Sequence, residues 1–253
     1  MRIIQHIPNT LTSLNLFFGA VGIVFAFQGR PDLTAWSILI ASVFDYSDGF
    51  AARMLKAYSD IGKELDSLGD LISFGLAPAA AYVSLLHFHF SGSWEVAFFE
   101  RSLSQQFLLL LPFVLTIFSA LRLAKFNLDT RQSDSFLGLT TTATGMFSVT
   151  LVHLIMTRGG DWTALSTPWF IFPLLAVFCF LLVSEIPMFS LKFKTFAFKG
   201  ENILRYLLLL IGLVAVVLFG LGGIAVTVTA YVLFSVGGYV CQSSVNNDPQ
   251  ASA

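Results

Sequence analysis

Apolar runs of about 20 residues recur along the whole chain, each long enough to cross the hydrocarbon core of a bilayer as a helix. The pattern predicts eight candidate spans, at 12–28, 33–55, 62–88, 104–124, 138–157, 167–188, 201–220 and 223–242. Gly29, Arg30, Pro31 and Asp32 punctuate the first pair, and Leu221, Gly222 and Gly223 the last. Ser91, Gly92 and Ser93 precede a short stretch, 94–101, whose Trp and Phe suit the membrane interface. From Gln242 the chain turns polar, and a short disordered tail is expected there. No tandem repeat and no soluble-domain pattern interrupts the series. The expected fold is all-α: one polytopic integral membrane bundle of about eight transmembrane helices over 1–242, with a polar tail at 243–253.

Composition agrees with this pattern. Of 253 residues, 56% are hydrophobic and 11% charged, whereas a soluble domain carries about a quarter charged residues. The net charge of −1, without a basic stripe, argues against a nucleic-acid partner. Cys179 and Cys241 lie in apolar runs and read as small core residues. The first run lacks a small-residue cleavage pattern after it and reads as a retained helix. The 27 Phe read as packing and lipid-facing residues.

Basic residues give an orientation. With a cytoplasmic N-terminus and eight spans, the cytoplasmic side holds 11 of the 14 Lys and Arg. Arg30, Arg101 and Arg158 fall on the far side. His87 and His89 sit at that far boundary, where an incidental interfacial role is expected. Lys192, Lys194 and Lys199 alternate with Phe193, Phe196 and Phe198 on the cytoplasmic side, as in a segment that snorkels toward anionic head groups.

Candidate chemistry concentrates between residues 45 and 70. Asp45, Asp48, Asp66 and Asp70 fall within or beside apolar helices, where a carboxylate is costly unless paired or hydrated. Asp45 and Asp48 are three apart and Asp66 and Asp70 four apart, so each pair shares a helix face. A hinge around Ala57 and Tyr58, with Ser59 or Asp60 as the next N-cap, sets Asp45 level with Asp70 and Asp48 level with Asp66. Four carboxylates then meet in a cavity open to the cytoplasm. Arg53 and Lys63 near its mouth do not balance four anions, whereas hard divalent cations, Mg²⁺ or Mn²⁺, do. Gly49, Ala52 and Gly62 keep the walls low. Such a pocket suits phosphate chemistry, in which two metals hold a pyrophosphate. The competing reading of intramembrane acids is a divalent-cation transporter, which needs acids exposed to both sides.

The run Asp45-x2-Asp48-Gly49-x2-Ala52-Arg53-x8-Gly62-x3-Asp66-x3-Asp70 resembles, at every position, the signature of the CDP-alcohol phosphatidyltransferase family. The resemblance implies two divalent ions, Mg²⁺ or Mn²⁺, on Asp45, Asp48, Asp66 and Asp70. It implies CDP-lipid contacts at Gly49, Ala52, Arg53 and Gly62, and Asp70 as general base toward the acceptor hydroxyl.

Pro8, Asn9, Thr10, Leu11 and Thr12, with Asn15 and Gly19, are similar to the opening of the family's bacterial and archaeal serine-using members, which places Asn15 with the CDP-lipid contacts. The run 121–127, Leu-Arg-Leu-Ala-Lys-Phe-Asn, is similar to them as well. Arg122 and Lys125 lie on the aspartate side and offer fixed positive charge to a lipid phosphate or a serine carboxylate. Phe136, Leu137, Gly138 and Leu139 resemble a stretch that continues with Pro in those relatives; here Thr140 takes that place, and hydroxyls from 140–142 are available to the acceptor.

The resemblance implies CDP-diacylglycerol and L-serine as substrates, with phosphatidylserine and CMP as products. Glycerol 3-phosphate, inositol phosphate or choline are the alternative acceptors. The expected setting is a bacterial or archaeal cytoplasmic membrane with the active site facing the cytoplasm. Helix-packing glycines make a homodimer an expected partner arrangement.

Overall fold

The computed structural model describes residues 6–94, 96–129, 136–191 and 197–246. Ten α-helices are present among them: α1 (His6–Phe27), α2 (Pro31–Met54), α3 (Asp60–Asp70), α4 (Ala77–Ser91), α5 (Leu103–Leu110), α6 (Val114–Leu128), α7 (Thr141–Arg158), α8 (Pro168–Val183), α9 (Glu201–Phe219) and α10 (Gly222–Asn246). A π-helical turn, Leu71–Leu76, fuses α3 to α4, and a 3₁₀ turn at Leu111–Phe113, carrying Pro112, fuses α5 to α6. The chain is an all-α polytopic membrane protein.

Among the described residues, five helical stretches are long and apolar enough to cross a bilayer: His6–Phe27, Asp60–Ser91, Leu103–Leu128, Asn202–Phe219 and Gly222–Val240. The other three long helices deviate for separate reasons. α2 carries Asp32, Asp45, Asp48 and Arg53, which lower its hydropathy. α7 is rich in Thr and Ser, but its middle is buried from Phe147 to Val152, so it faces protein and not lipid. α8 has 16 residues, about 24 Å of helix, shorter than a full core crossing.

α4 and α7 form the centre. Ala77, Ala79, Ala80 and Ala81 on α4 are buried and let neighbouring backbones approach closely. α1 lies along α2 and also touches α3 and α4, while α7 packs on α2, α4 and α10. Two of the helix glycines, Gly145 and Gly75, pack inside the chain. A Cβ on Gly145 would come within 2.7 Å of Phe74 Cα, and one on Gly75 within 2.9 Å of Ser119 Cβ. Cys179 is buried, in keeping with a core residue.

Three expectations are corrected. Residues 184–188 do not continue α8: Pro187 lacks an amide donor and disfavours helix at Ile186. Instead Pro187 and Met188 form β2, antiparallel to Phe136 and Leu137 of β1. Residues 138–140, expected to begin a span, form the turn into α7. Gly138 takes φ 75° there, and its amide bonds Ile186 O at 2.8 Å. At the other end of the chain, α10 runs to Asn246, past the expected boundary at Gln242. Lys192, Lys194, Phe193, Phe196 and Arg131 lie outside the described residues.

At the end of the bundle opposite the α2–α3 hinge, Trp94 lies against Gly29 and stacks on His87 with ring centroids 6.1 Å apart. His89 Nδ1 is 3.0 Å from Ser166 Oγ. Both histidines are therefore occupied in joining helix ends.

Candidate active site

The site begins at the hinge. α2 ends at Met54, Lys56 takes φ 50°, and Ser59 caps α3 by accepting from Gly62 N at 3.0 Å. Ser59 is one of the two expected N-caps. The turn folds α3 back along α2 and brings one carboxylate oxygen each from Asp45, Asp48 and Asp66 within 4.8 Å of one another. Asp70, also buried, meets Asp45 side chain to side chain. The two pairs thus face each other as the hinge count predicts.

Above the carboxylates lies a cavity of about 210 Å³ lined by Asp48, Gly49, Ala52, Arg53, Gly62, Lys63 and Asp66, and closed by Pro8, Asn9 and Thr12 of α1 and by 57–59 of the hinge. The glycines have steric reasons. A Cβ on Gly62 would stand 2.8 Å from Asn9 Oδ1 and 2.9 Å from Ser59 Oγ. Gly49 leaves room for Arg53 to fold back, its Nη1 only 3.4 Å from where a Cβ would be.

Asp48 is 5% exposed, and its Oδ2 has no hydrogen-bond partner. Among the described residues, none of the four aspartates has an ion-pair partner; the ion pairs found are Arg30–Asp32 and Lys125–Glu185. A buried carboxylate oxygen without a donor is expensive. Three convergent hard oxygens with an orphaned lone pair are a donor set suited to a divalent cation. The residues present therefore fit the metal that the signature implies.

Asp70 is held from outside the cavity wall. Fully buried Asn15 donates from Nδ2 to Asp70 Oδ1 at 3.2 Å, and Ser73 Oγ donates to Asn15 O at 2.9 Å. Asn15 therefore lies behind the site, touching Asp70. The π-helical turn starts directly after Asp70, and Thr116 Oγ1 donates to Gly75 O at 3.2 Å within it.

Arg122, Lys125 and Thr140 gather elsewhere, at the seam between α6, the turn into α7 and the end of α8. Buried Arg122 donates from Nε to Leu139 O at 3.1 Å and lies over the Phe126 ring. Lys125 pairs with Glu185 at 3.2 Å. Thr140 caps α7, its hydroxyl accepting from Ala143 N at 3.2 Å, which gives a physical reason for a hydroxyl at this place. Arg122→Ala would leave the carbonyl of fully buried Leu139 without this donor. A loss of about 1–3 kcal/mol is expected, read as a lowered midpoint of thermal unfolding in detergent; an unchanged midpoint would refute the anchoring role.

The cavity also contains residues the signature does not name. Asn9 and Thr12 belong to the opening run already singled out, and Lys63 was noted at the mouth. Tyr58 and Ser59 had no signal beyond the hinge itself.

The site is thus a carboxylate-walled, glycine-lined cavity between α1, α2 and α3 of a membrane bundle. Residues 5–231 match the CDP-alcohol phosphatidyltransferase family, and the chain belongs to it. Among its relatives, CDP-diacylglycerol–serine O-phosphatidyltransferase of Mycobacterium bovis is 33% identical over 194 residues, 73% of this chain and 61% of that protein. The protein of the same name from Helicobacter pylori is 32% identical over 149 residues, 58% of this chain and 57% of the relative. That of Bacillus subtilis is 32% identical over 149 residues, covering 58% and 75%. The chain thus spans about three-fifths of the length of the first two relatives.

Proposed function

We propose that this protein transfers the phosphatidyl group of CDP-diacylglycerol to L-serine, giving phosphatidylserine and CMP. The observation that carries the reading is the convergence of Asp45, Asp48 and Asp66 within 4.8 Å, with Asp48 Oδ2 unsatisfied, beneath a cavity walled by Gly49, Ala52, Arg53 and Gly62. The names of the relatives support the acceptor.

Asp45, Asp48 and Asp66, with Asp70 beside them, would hold the divalent ions, Mg²⁺ or Mn²⁺. When bound, these supply charge neutralisation for the diphosphate and its leaving oxygen. The low walls at Gly49 and Ala52 admit the nucleotide, and Arg53 offers a planar donor fork to phosphate oxygens. Asp70, oriented by Asn15, accepts the proton of the serine hydroxyl. The serine oxygen forms a bond to the phosphorus that carries diacylglycerol, the bond from that phosphorus to the CMP oxygen breaks, and CMP departs with the electron pair.

The cavity lies at the hinge end of the bundle, with Arg53 and Lys63 in its lining. By the basic-residue bias this end faces the cytoplasm, so nucleotide and serine enter from water while acyl chains stay in the bilayer.

An acceptor panel tests the assignment. Purified protein given CDP-diacylglycerol should use serine at least about tenfold better than glycerol 3-phosphate, inositol phosphate or choline, since a site that hydrogen-bonds one acceptor rejects those that leave its polar groups unpaired. A tenfold preference for glycerol 3-phosphate would overturn the serine assignment and leave the aspartate site untouched.

A further inference from the structure

Resting on the serine-transfer reading, we propose that the seam between α3 and α6 is the acceptor's subsite, with Lys63 taking the carboxylate and the C-terminal end of α6 taking the ammonium.

Lys63 and Asp70 are seven residues apart on α3, within about 20° of two full turns, so both project from nearly the same face at a spacing of about 10 Å. Asp66 flanks that face on the side of the metal cluster. Ser67 flanks it on the other, turned toward α6, where its hydroxyl accepts from Asn127 Nδ2 at 2.8 Å. Lys63 lines the cavity, and its ammonium reaches Asn127 O at 3.3 Å. One helix face thus presents a cation and a carboxylate base in line, with polar groups of α6 alongside.

The charges match a zwitterion. Two cations line the cavity. Arg53 folds over Gly49 on the α2 wall, while Lys63 is tethered on the opposite, α6 side. Among the described residues Lys63 has no carboxylate partner, in contrast to Lys125, which is paired with Glu185. A Lys ammonium has three donors, and the Asn127 carbonyl occupies one. The last carbonyls of α6, together with Asn127 Oδ1, form the negative end of a helix dipole, which favours an ammonium group and disfavours a phosphate dianion. Arg122 and Lys125 sit behind this seam and fix α6 to the turn at 138–140 and to the end of α8.

Steady-state kinetics of the purified protein decides the matter, after wild type has been shown to form phosphatidylserine; failure at that first step removes the serine reading itself. Lys63→Met should raise KM for serine at least about tenfold, the loss expected for a hydrogen bond to a charged group. Its kcat, its KM for CDP-diacylglycerol and its Mg²⁺-dependent binding of CDP should stay within about twofold. Lys63→Arg should recover most of the affinity. Serine methyl ester, which lacks the carboxylate charge, should be a poor acceptor for wild type, and the preference for serine over the ester should shrink about tenfold in Lys63→Met. Asn127→Leu, which leaves Lys63 in place, should also raise the serine KM. An unchanged serine KM in Lys63→Met, or a rise in the KM for CDP-diacylglycerol or loss of CDP binding instead, would overturn the proposal.

Discussion

Asp48→Asn, Asp45→Asn and Asp66→Asn are each expected to abolish transfer, with losses well beyond the 10- to 100-fold seen for residues that merely support metal ligands. The three side chains converge within 4.8 Å, and Asp48 Oδ2 is buried without a donor. Replacing a charged oxygen by an amide removes both charge and a hard ligand. Calorimetry of Mg²⁺-dependent CDP binding should register the loss directly, independent of turnover. The amide is nearly isosteric, and relieving one of several crowded carboxylates should leave thermal stability equal or higher in metal-free buffer. Retention of metal-dependent CDP binding in Asp48→Asn would refute this role.

Asp70→Asn is expected to behave differently. A general base contributes about 10²–10⁴ to rate, so kcat should fall by that order. Asp70 lies outside the cavity wall and is held by Asn15 at 3.2 Å, so CDP-lipid binding should fall less than in Asp48→Asn. Equal losses of binding in the two variants would make Asp70 a ligand first and a base second. Comparing single-turnover rates at saturating CDP-diacylglycerol with equilibrium binding separates the two roles.

Much of this site was legible because helical arithmetic is rigid. Spacings of three and four fix a shared face, and a hinge between them fixes which aspartates oppose; Ser59 as N-cap then sets the register to within a residue. The departures arise where tertiary contacts decide. Asn15 reaches Asp70 across 55 residues and Lys63 reaches Asn127 across 64, and no local pattern marks either pair. The π-helical turn at Leu71–Leu76 has no composition of its own; the close approach of Gly75 to Ser119 and the Thr116 bond hold it. Arg122 and Lys125, expected to offer positive charge to the acceptor, bond Leu139 and Glu185, partners that no local pattern marks. The apolar pattern runs past the end of α8 at Val183 because apolar composition persists through Ile186 and Met188, while Pro187 keeps this stretch from continuing the helix.

The most direct measurement follows both products in one vessel. Purified protein in detergent, given CDP-diacylglycerol, labelled serine and Mg²⁺, should release CMP and form phosphatidylserine in equal amounts. Both should stop on chelation and resume when Mg²⁺ or Mn²⁺ is returned. CMP release and phosphatidylserine formation that continue at full rate in excess chelator would contradict a metal-bearing aspartate site as the seat of the reaction.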